Sequence, residues 1–183
     1  MSNHGEIMNS EISETPEIFA KLISANLFNE SLTALLETSD IKSVLILARG
    51  TSDNAAHFLK YLVETQLGLP CGLTSPSSVS IYNSKLKYQN TLVVAISQSG
   101  KSTDLVEFAK AAKAAGAKLV SMTNDETSPL ASNADFHISL QAGPELAVAA
   151  TKSYSAQLLI SYLLVMKWAG KSALTEKIVS EAN

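Results

Sequence analysis

The sequence predicts a three-layer α/β protein in which helices cover both faces of a five-stranded parallel sheet. Three observations predict this fold. From residue 43 onward, short apolar runs alternate with helical patterns, as a series of βαβ units requires. The runs are apolar at consecutive positions, as in residues 44–48, which is typical of strands covered on both faces. The chain has 183 residues, 46% of them hydrophobic, and can therefore bury a single core of this size.

The elements follow in order along the chain. Apolar residues at helical spacing over residues 17–36 predict an amphipathic helix or a pair of helices. The predicted strands and helices then alternate as strand 43–48, helix 53–67, strand 72–74, a short helix after Pro76, strand 92–96, helix 104–115, strand 118–123, a short helix from Ser128, strand 136–140 and helix 151–169. We expect residues 1–40 to pack as a helical segment on a domain formed by residues 41–170, with residues 171–183 as a tail or the start of a linker to a second domain.

The connections between the strands predict where a ligand would bind. Right-handed crossovers favour the strand order 2-1-3-4-5, in which the direction of winding reverses between the first and third strands. In open sheets of this kind, ligands bind at that reversal, outside the carboxyl ends of the strands. The loops that follow strands 43–48 and 92–96 should therefore flank one crevice.

Composition and charge argue against several classes of partner. The formal net charge is −3 and no run of Lys and Arg is interleaved with aromatic residues, so we expect no nucleic acid partner. The longest apolar stretch, residues 158–166, is too short to cross a bilayer, and residues 1–13 lack the pattern of a secretory signal. Cys71 is the only cysteine, which excludes a disulfide within the chain and suits a reducing compartment. We therefore expect a cytoplasmic protein without membrane contact.

The ionisable side chains give no pattern for a metal or a cofactor. His4, His57 and His137 share no metal-ligand spacing with one another or with Cys71. We therefore expect neither a metal nor a cofactor. His57 and His137 fit structural roles better than the role of a catalytic base.

Residues 91–103 carry the strongest chemical signal. An apolar run opens at Ser97 into hydroxyls, an amide and Gly100, and a helical pattern follows from Asp104. Such a turn offers free backbone N–H groups, the positive end of a helix dipole and short side-chain donors at one point, which suits a phosphate group. In the alternative interpretation, the serines only cap the helix.

Residues 49–52 should form the other side of the crevice. Thr51 and Ser52 fit helix capping and ligand binding equally well. Arg49 is the only arginine of the chain, and it suits either a bidentate contact to a ligand or a structural salt bridge.

A nucleotide site is a rival interpretation of residues 95–102. This stretch differs from the P-loop pattern G-x-x-x-x-G-K-[ST] only by alanine at the first position. Ala95 and Ile96, however, continue the apolar run at the point where the first glycine of a P-loop leaves the strand. The remaining loop is too short to wrap a triphosphate, and no predicted strand ends in an aspartate suited to magnesium. We therefore prefer a single phosphate group.

Residues 141–153 connect the last predicted strand to the last helix. Their small side chains would let the backbone approach a ligand closely. Glu145 and Lys152 are the ionisable groups of this segment, and they fit a binding site and a simple helix start with surface charge equally well.

Together these residues resemble the sugar isomerase (SIS) domain family. The resemblance is to the first domain of the isomerising half of glucosamine-6-phosphate synthase and to the SIS-type glucosamine-6-phosphate deaminases, and it spans about residues 8–170. Its motifs are Met8-x-x-Glu11-Ile12 with Pro16-Glu17, Arg49-Gly50-Thr51-Ser52, Ser75-Pro76-Ser77, Ser97-Gln98-Ser99-Gly100, and Ala142-Gly143-Pro144-Glu145 with Val148-Ala149-Ala150-Thr151-Lys152.

The resemblance implies that the two turns bind the phosphate and the sugar hydroxyls, and that a valine lines the sugar. The residues at these positions are Gly50, Thr51, Ser52, Ser97, Gln98, Ser99, Ser102 and Val148. The synthase pattern has cysteine in place of Arg49, and an acidic residue followed by threonine in place of Lys101 and Ser102. These departures are more similar to the deaminase branch.

The same resemblance implies a sugar-phosphate isomerase or an aminosugar-phosphate deaminase that acts on glucosamine 6-phosphate or fructose 6-phosphate. In such enzymes the general-base glutamate, the ring-opening histidine and a carboxyl-terminal lysine belong to a second SIS domain or its tail. We therefore expect the catalytic base to lie outside this chain and assign no catalytic residue within it. The alternative is a stand-alone module that senses a phosphosugar without catalysis. We expect a homodimer.

Overall fold

A single parallel sheet forms the centre of the structure, a computed structural model that describes residues 4–25, 27–38 and 40–171. The strands are β1 (Ser43–Leu47), β2 (Cys71–Leu73), β3 (Thr91–Ile96), β4 (Lys118–Thr123) and β5 (Phe136–Ser139). Every pairing is parallel, and the order is β2-β1-β3-β4-β5. The predicted α/β fold and its strand order are confirmed.

Strand β3 occupies the middle of the sheet, and all of its residues are buried. Val94 and Ile96 belong to the core on one face, whereas Val93 and Ala95 belong to the core on the other. Successive side chains of a strand point to opposite faces. A continuous apolar run therefore fits a position that helices cover on both sides.

Helices precede the sheet and connect its strands. The three before β1 are α1 (His4–Ser13), α2 (Thr15–Ser24) and α3 (Glu30–Thr38). The connecting helices are α4 (Thr51–Leu62), α5 (Ser77–Ser80), α6 (Thr103–Ala114) and α7 (Pro129–Asn133), and α8 (Lys152–Trp168) follows β5. A π-helical turn, Val63–Leu67, continues α4. Each helix predicted after β1 is present.

Helix α1 lies within the helical segment expected for residues 1–40, but the hydrophobic spacing did not mark it as a separate helix. The helical spacing over residues 17–36 corresponds to the pair α2 and α3, whereas α1 lies before it. Ile12 of α1 is exposed, and Glu11 is buried with only 4% of its surface accessible. Hydrophobic periodicity cannot detect a helix whose most buried side chain is a carboxylate.

The helices that follow β1 and β3 lie on opposite faces of the sheet. Helix α4 contributes Ala56 and Leu59 to the core that it shares with α8. Helix α6 contributes Leu105 and Phe108 to the other core. The chain therefore leaves two neighbouring strands in opposite directions, which opens a crevice at their carboxyl ends.

Two further expectations from the sequence concern membrane-spanning helices and domain boundaries. Within the part that the structure describes, no helix has the length and apolarity needed to cross a bilayer. Residues 172–183, most of the predicted tail or linker, lie outside the described residues, so the domain boundaries stay a prediction.

A matched pair of phenylalanine substitutions tests the core beneath α6. We expect Phe108→Ala to lower the free energy of unfolding by about 3–5 kcal/mol, because it opens a cavity where the side chain is fully buried. Phe58→Ala, the same change at a side chain on α4 that is 38% exposed, should cost far less. Urea denaturation measures both variants, and equal losses would contradict the packing described.

Candidate functional site

The turn after β3 is shaped by its own serine hydroxyls. The Ser97 Oγ atom is buried and accepts a hydrogen bond from the Gly100 N–H group at 3.0 Å. The Ser99 Oγ atom accepts one from the Lys101 N–H group at 3.3 Å. A hydroxyl that accepts a hydrogen bond can still donate its own proton. Both serines therefore stabilise the turn and keep a donor for a ligand.

Gly100 brings this turn into close contact with the start of α7. Its φ angle is +64°, a left-handed conformation that favours glycine. A Cβ atom added there would lie 2.6 Å from Ser128 Cβ and 3.0 Å from Thr123 Cγ2. The Gly100 carbonyl also accepts a hydrogen bond from the Leu130 N–H group at 3.2 Å. Only glycine fits this position without displacing α7.

The first turn of α6 leaves donors unused. Ser102 is the N-cap residue, yet its side chain makes no capping hydrogen bond. In the described part of the chain, no protein group bonds to the Ser102 hydroxyl, and the N–H groups of Thr103 and Asp104 have no acceptor within the helix. The interpretation that serines merely cap the helix therefore does not hold for Ser102.

The turn after β1 places a second helix N-terminus at the same edge of the sheet. Gly50 is the N-cap of α4, with a φ angle of +59°, and α4 has no side-chain cap. Thr51 and Ser52 are therefore the first residues of α4 and do not cap it. Ser52 is buried, and its Oγ atom accepts a hydrogen bond at 3.0 Å from Gln157 Nε2 of α8.

An exposed ion pair joins the two turns. Arg49 Nε lies 2.9 Å from Asp104 Oδ2 in the first turn of α6. Of the two roles left open for Arg49, the structure shows the salt bridge. An exposed pair contributes little to stability, so its effect is geometric: it connects the two rims of the crevice, and the Arg49 side chain stays 58% exposed.

The second cation beside the crevice is tied to the loop after β4. Lys101 Nζ lies 2.8 Å from Asp125 Oδ2. The pKa of Asp125 is lowered to about 2, first by the hydrogen bond from Lys101 and then by those from Thr127.

In a P-loop, the lysine contacts the phosphates and the chain leaves the strand at the first glycine. Lys101 is instead paired with Asp125, and Ala95 pairs within the sheet with Leu47 and Ser121. Neither observation supports a nucleotide site.

Asn124 connects three loops at the carboxyl edge of the sheet. Its backbone N–H group donates to the Gln98 carbonyl at 3.0 Å. Its side chain donates to the Gly143 carbonyl at 2.6 Å and accepts from the Ala142 N–H group at 2.9 Å. The sequence interpretation missed both Asn124 and Gln157. For Gln157 the only local signal was a single amide in an apolar stretch.

The segment between β5 and α8 is fixed by carboxylates. Glu145 accepts hydrogen bonds from the N–H groups of Thr151, at 2.8 Å, and Ser153, at 3.2 Å, and from the Ser153 hydroxyl. Glu145 thus stabilises the start of α8.

Lys152 is not a surface charge, because it is only 2% exposed and its Nζ atom lies 2.6 Å from Glu14 Oε2. The Val148 side chain, by contrast, is 95% exposed.

The cysteine and the histidines lie outside this group. Burial raises the pKa of the half-buried Cys71 thiol to about 11. His57 is exposed on α4, and His137 of β5 lies 3.0 Å from the Ser121 hydroxyl, with its pKa lowered mainly by burial. The His4 side chain lies outside the described residues. In the described ranges, no group of His, Cys, Asp and Glu has the arrangement of a metal site.

The eight predicted site residues thus fall into two groups. Seven of them surround the carboxyl ends of β1 and β3, where one ion pair links the two turns. The eighth, Val148, lies on the segment after β5, which Asn124 connects to the same edge. Their roles in binding stay a prediction.

The profile of the SIS domain family matches residues 37–167, well over half of the chain. The chain belongs to the SIS domain family. The isomerizing glutamine–fructose-6-phosphate aminotransferase of Acinetobacter baylyi is 36% identical to this SIS chain over 172 residues, which are 87% of this chain and 28% of that protein.

Solved structures share the SIS fold described above. A candidate phosphosugar isomerase from Silicibacter pomeroyi DSS-3 is similar with a TM-score of 0.88 and 36% identity, over 96% of this chain and 55% of that one. The C-terminal domain of glucosamine-fructose-6-phosphate aminotransferase from Francisella tularensis has a TM-score of 0.84 and 27% identity, over 96% and 53% of the two chains. This SIS chain therefore spans about half the length of these solved chains.

Two glycines with similar backbone angles test the packing of the turn against α7. We expect Gly100→Ala to lower the free energy of unfolding by about 1–3 kcal/mol more than Gly68→Ala, because the added methyl group overpacks the contact with Ser128. Gly68 has a φ angle of +67° with open space at the Cβ position, so its variant measures backbone strain alone. Thermal or urea unfolding gives both values, and equal losses would contradict the contact.

The titration of Asp125 tests the Lys101 ion pair. Its carboxyl should titrate near pH 2 in the folded protein, and Lys101→Ala should raise that pKa toward the usual 3.8. Because the folded-state pKa is lowered, the stabilising effect is complete above about pH 4 and is lost as the pH falls toward 2. NMR of the side-chain carboxyl carbon measures this pKa. Lys21→Ala on α2 is the control, and the pair is refuted if both variants titrate like the wild type.

Proposed function

We propose that this SIS domain binds a sugar phosphate, with the phosphate group between the turns after β1 and β3. The observation that carries the proposal is the convergence of two helix N-termini, α4 and α6, at the reversal point of the sheet. Each N-terminus supplies unpaired N–H groups and the positive end of a helix dipole. The membership of the SIS family supports the same assignment.

The phosphate would be held by neutral donors rather than by free cations. The donors are the hydroxyls of Ser97, Ser99 and Ser102 together with the backbone N–H groups of the turn. Each hydrogen bond to a charged group contributes about 1.5–3 kcal/mol net. Four or five of them correspond to dissociation constants from about micromolar to millimolar once the cost of association is included.

The sugar would lie beside the phosphate, against the turn at Gly50 and Thr51 and the segment that carries Val148. Ser52 would donate its proton toward the ligand, because its oxygen already accepts the Gln157 amide. The Val148 side chain is 95% exposed, so a ligand could cover it without displacing a packed side chain. These contacts would orient the carbon chain.

We further propose that this domain is one half of a sugar-phosphate isomerase or aminosugar-phosphate deaminase. Of the carboxylates nearest the crevice in sequence, Asp104 pairs with Arg49, Asp125 with Lys101, and Glu145 with the start of α8, whereas Asp53 lies in the first turn of α4 and lines the pocket beside Gly50. A proton shuttle needs a base within reach of the substrate, and we assign that base to a second SIS unit. Arg49, Lys101 and Ser102 favour the deaminase branch.

Two properties of the whole protein belong to the same proposal. A homodimer would bring two SIS units together. The cytoplasmic location rests on Cys71, the single cysteine of the sequence.

Calorimetric titration of the full chain tests the assignment of the ligand. We expect glucosamine 6-phosphate or fructose 6-phosphate to bind in the range of about micromolar to millimolar, whereas glucosamine and fructose should not bind measurably. ATP with magnesium should bind more weakly than the sugar phosphates. Binding of ATP alone would refute the proposal in favour of a nucleotide site.

The Ser102 hydroxyl offers a sharper test of the site. Because it makes no protein hydrogen bond, Ser102→Ala should leave the thermal stability unchanged and weaken sugar-phosphate binding about tenfold, the equivalent of one lost hydrogen bond. Ser31→Ala, at an exposed serine in the first turn of α3, is the matched control. Unchanged affinity in Ser102→Ala would place the phosphate elsewhere.

A further inference from the structure

Helix α1 reaches the segment after β5 through one buried carboxylate. Glu11 Oε1 accepts a hydrogen bond from the Leu146 N–H group at 2.5 Å, and Oε2 accepts one from the Ala147 N–H group at 3.2 Å. The two partners are separated from Glu11 by 135 and 136 positions in the sequence. Glu11 is 4% exposed, so both oxygens are committed to this contact.

The contact fixes a stretch that has no regular secondary structure of its own. Residues 141–151 form neither helix nor strand. Asn124 holds the beginning of the stretch at Ala142 and Gly143, and Glu145 holds its end through Thr151. Between those points, the side chains of Leu146 and Val148 are exposed and give the backbone no apolar anchor.

Glu11 therefore supplies the hydrogen bonds that hold the middle of this stretch. They act on the two residues immediately before Val148. A carboxylate that accepts two backbone N–H groups fixes the direction of both peptide planes, because each bond is directional. The proposed contact of Val148 with the sugar depends on where those planes are held.

We propose that Glu11 is a positioning residue for the sugar part of the ligand, acting through Leu146 and Ala147 on Val148. This inference rests on the proposed function and extends it to α1. The carboxylate contacts no ligand itself. Glu11 restricts the conformations of residues 141–151 before binding, which lowers the entropic cost of ordering them when the sugar binds. In the described residues, Glu11 makes no hydrogen bond to the turns after β1 and β3, which carry the phosphate part.

The separation of the two parts makes the inference testable with two probes. Calorimetry on the full chain gives the dissociation constants for glucosamine 6-phosphate and for inorganic phosphate. We expect Glu11→Gln and Glu11→Ala to weaken binding of the sugar phosphate about tenfold and to leave that of inorganic phosphate unchanged. The ratio of the two constants is the readout, because a general loss of stability would weaken both.

Glu17→Gln is the matched control, since it neutralises an exposed carboxylate on the neighbouring helix α2. Hydrogen exchange adds a direct measurement: the amides of Leu146 and Ala147 should exchange faster in Glu11→Gln than in the control. Glu11→Gln keeps one acceptor oxygen and the volume of the side chain, so it decides the question if Glu11→Ala does not fold.

The outcomes separate the two proposals. If the wild-type chain binds the sugar phosphate no better than inorganic phosphate, both proposals fail. If the wild type prefers the sugar phosphate and Glu11→Gln keeps that preference in full while its amides exchange faster, only the role of Glu11 is overturned. If Glu11→Gln lowers the preference for the sugar phosphate and leaves the binding of inorganic phosphate unchanged, the positioning role of Glu11 is supported.

Discussion

The opposite departure of α4 and α6 from neighbouring strands is the constraint on which the candidate site depends. Leu47 and Ala95 are partners in the sheet, so β1 and β3 end side by side. The apolar faces of the following helices nevertheless pack on different sides. Neither helix can fill the space that opens between them. The first turns of α4 and α6 border this space, and the N–H groups there lack partners within the helices. Apolar packing well away from the crevice thus creates a place for an anion.

The cations Arg49 and Lys101 at the crevice are both paired, which leaves recognition of an anion to neutral groups. Arg49 is held by Asp104 and Lys101 by Asp125. Serine hydroxyls suit such a site because the oxygen can accept a hydrogen bond from the protein while the hydroxyl proton is donated to a ligand. In the structure, the oxygens of Ser97 and Ser99 accept backbone N–H groups. A fixed set of directional donors discriminates by the shape of the ligand more than by its total charge.

The sequence predicted the sheet, its order and the two turns because their signals are local. Consecutive apolar residues mark a strand covered on both faces, and hydroxyls at its end mark a turn. No role was predicted for Glu11, Asn124 or Gln157, because a buried polar side chain is explained by its partner, and those partners are remote in sequence. For the same reason, the spacing around Lys152 left a surface charge and a site equally open, whereas the fold shows a buried lysine paired with the partly exposed Glu14.

That ion pair bears on how much chain is needed for autonomous folding. The family match begins at residue 37, beyond α1 and α2. A chain trimmed to that boundary would lose both the counterion of Lys152 and helix α2, which packs on α8. The core would also lose Ile18 and Leu22 of α2, whose burial contributes roughly 1.5–3 kcal/mol each, a large fraction of the stability of an ordinary domain. The minimal self-sufficient unit is therefore longer at its amino-terminal side than the segment by which the family is recognised.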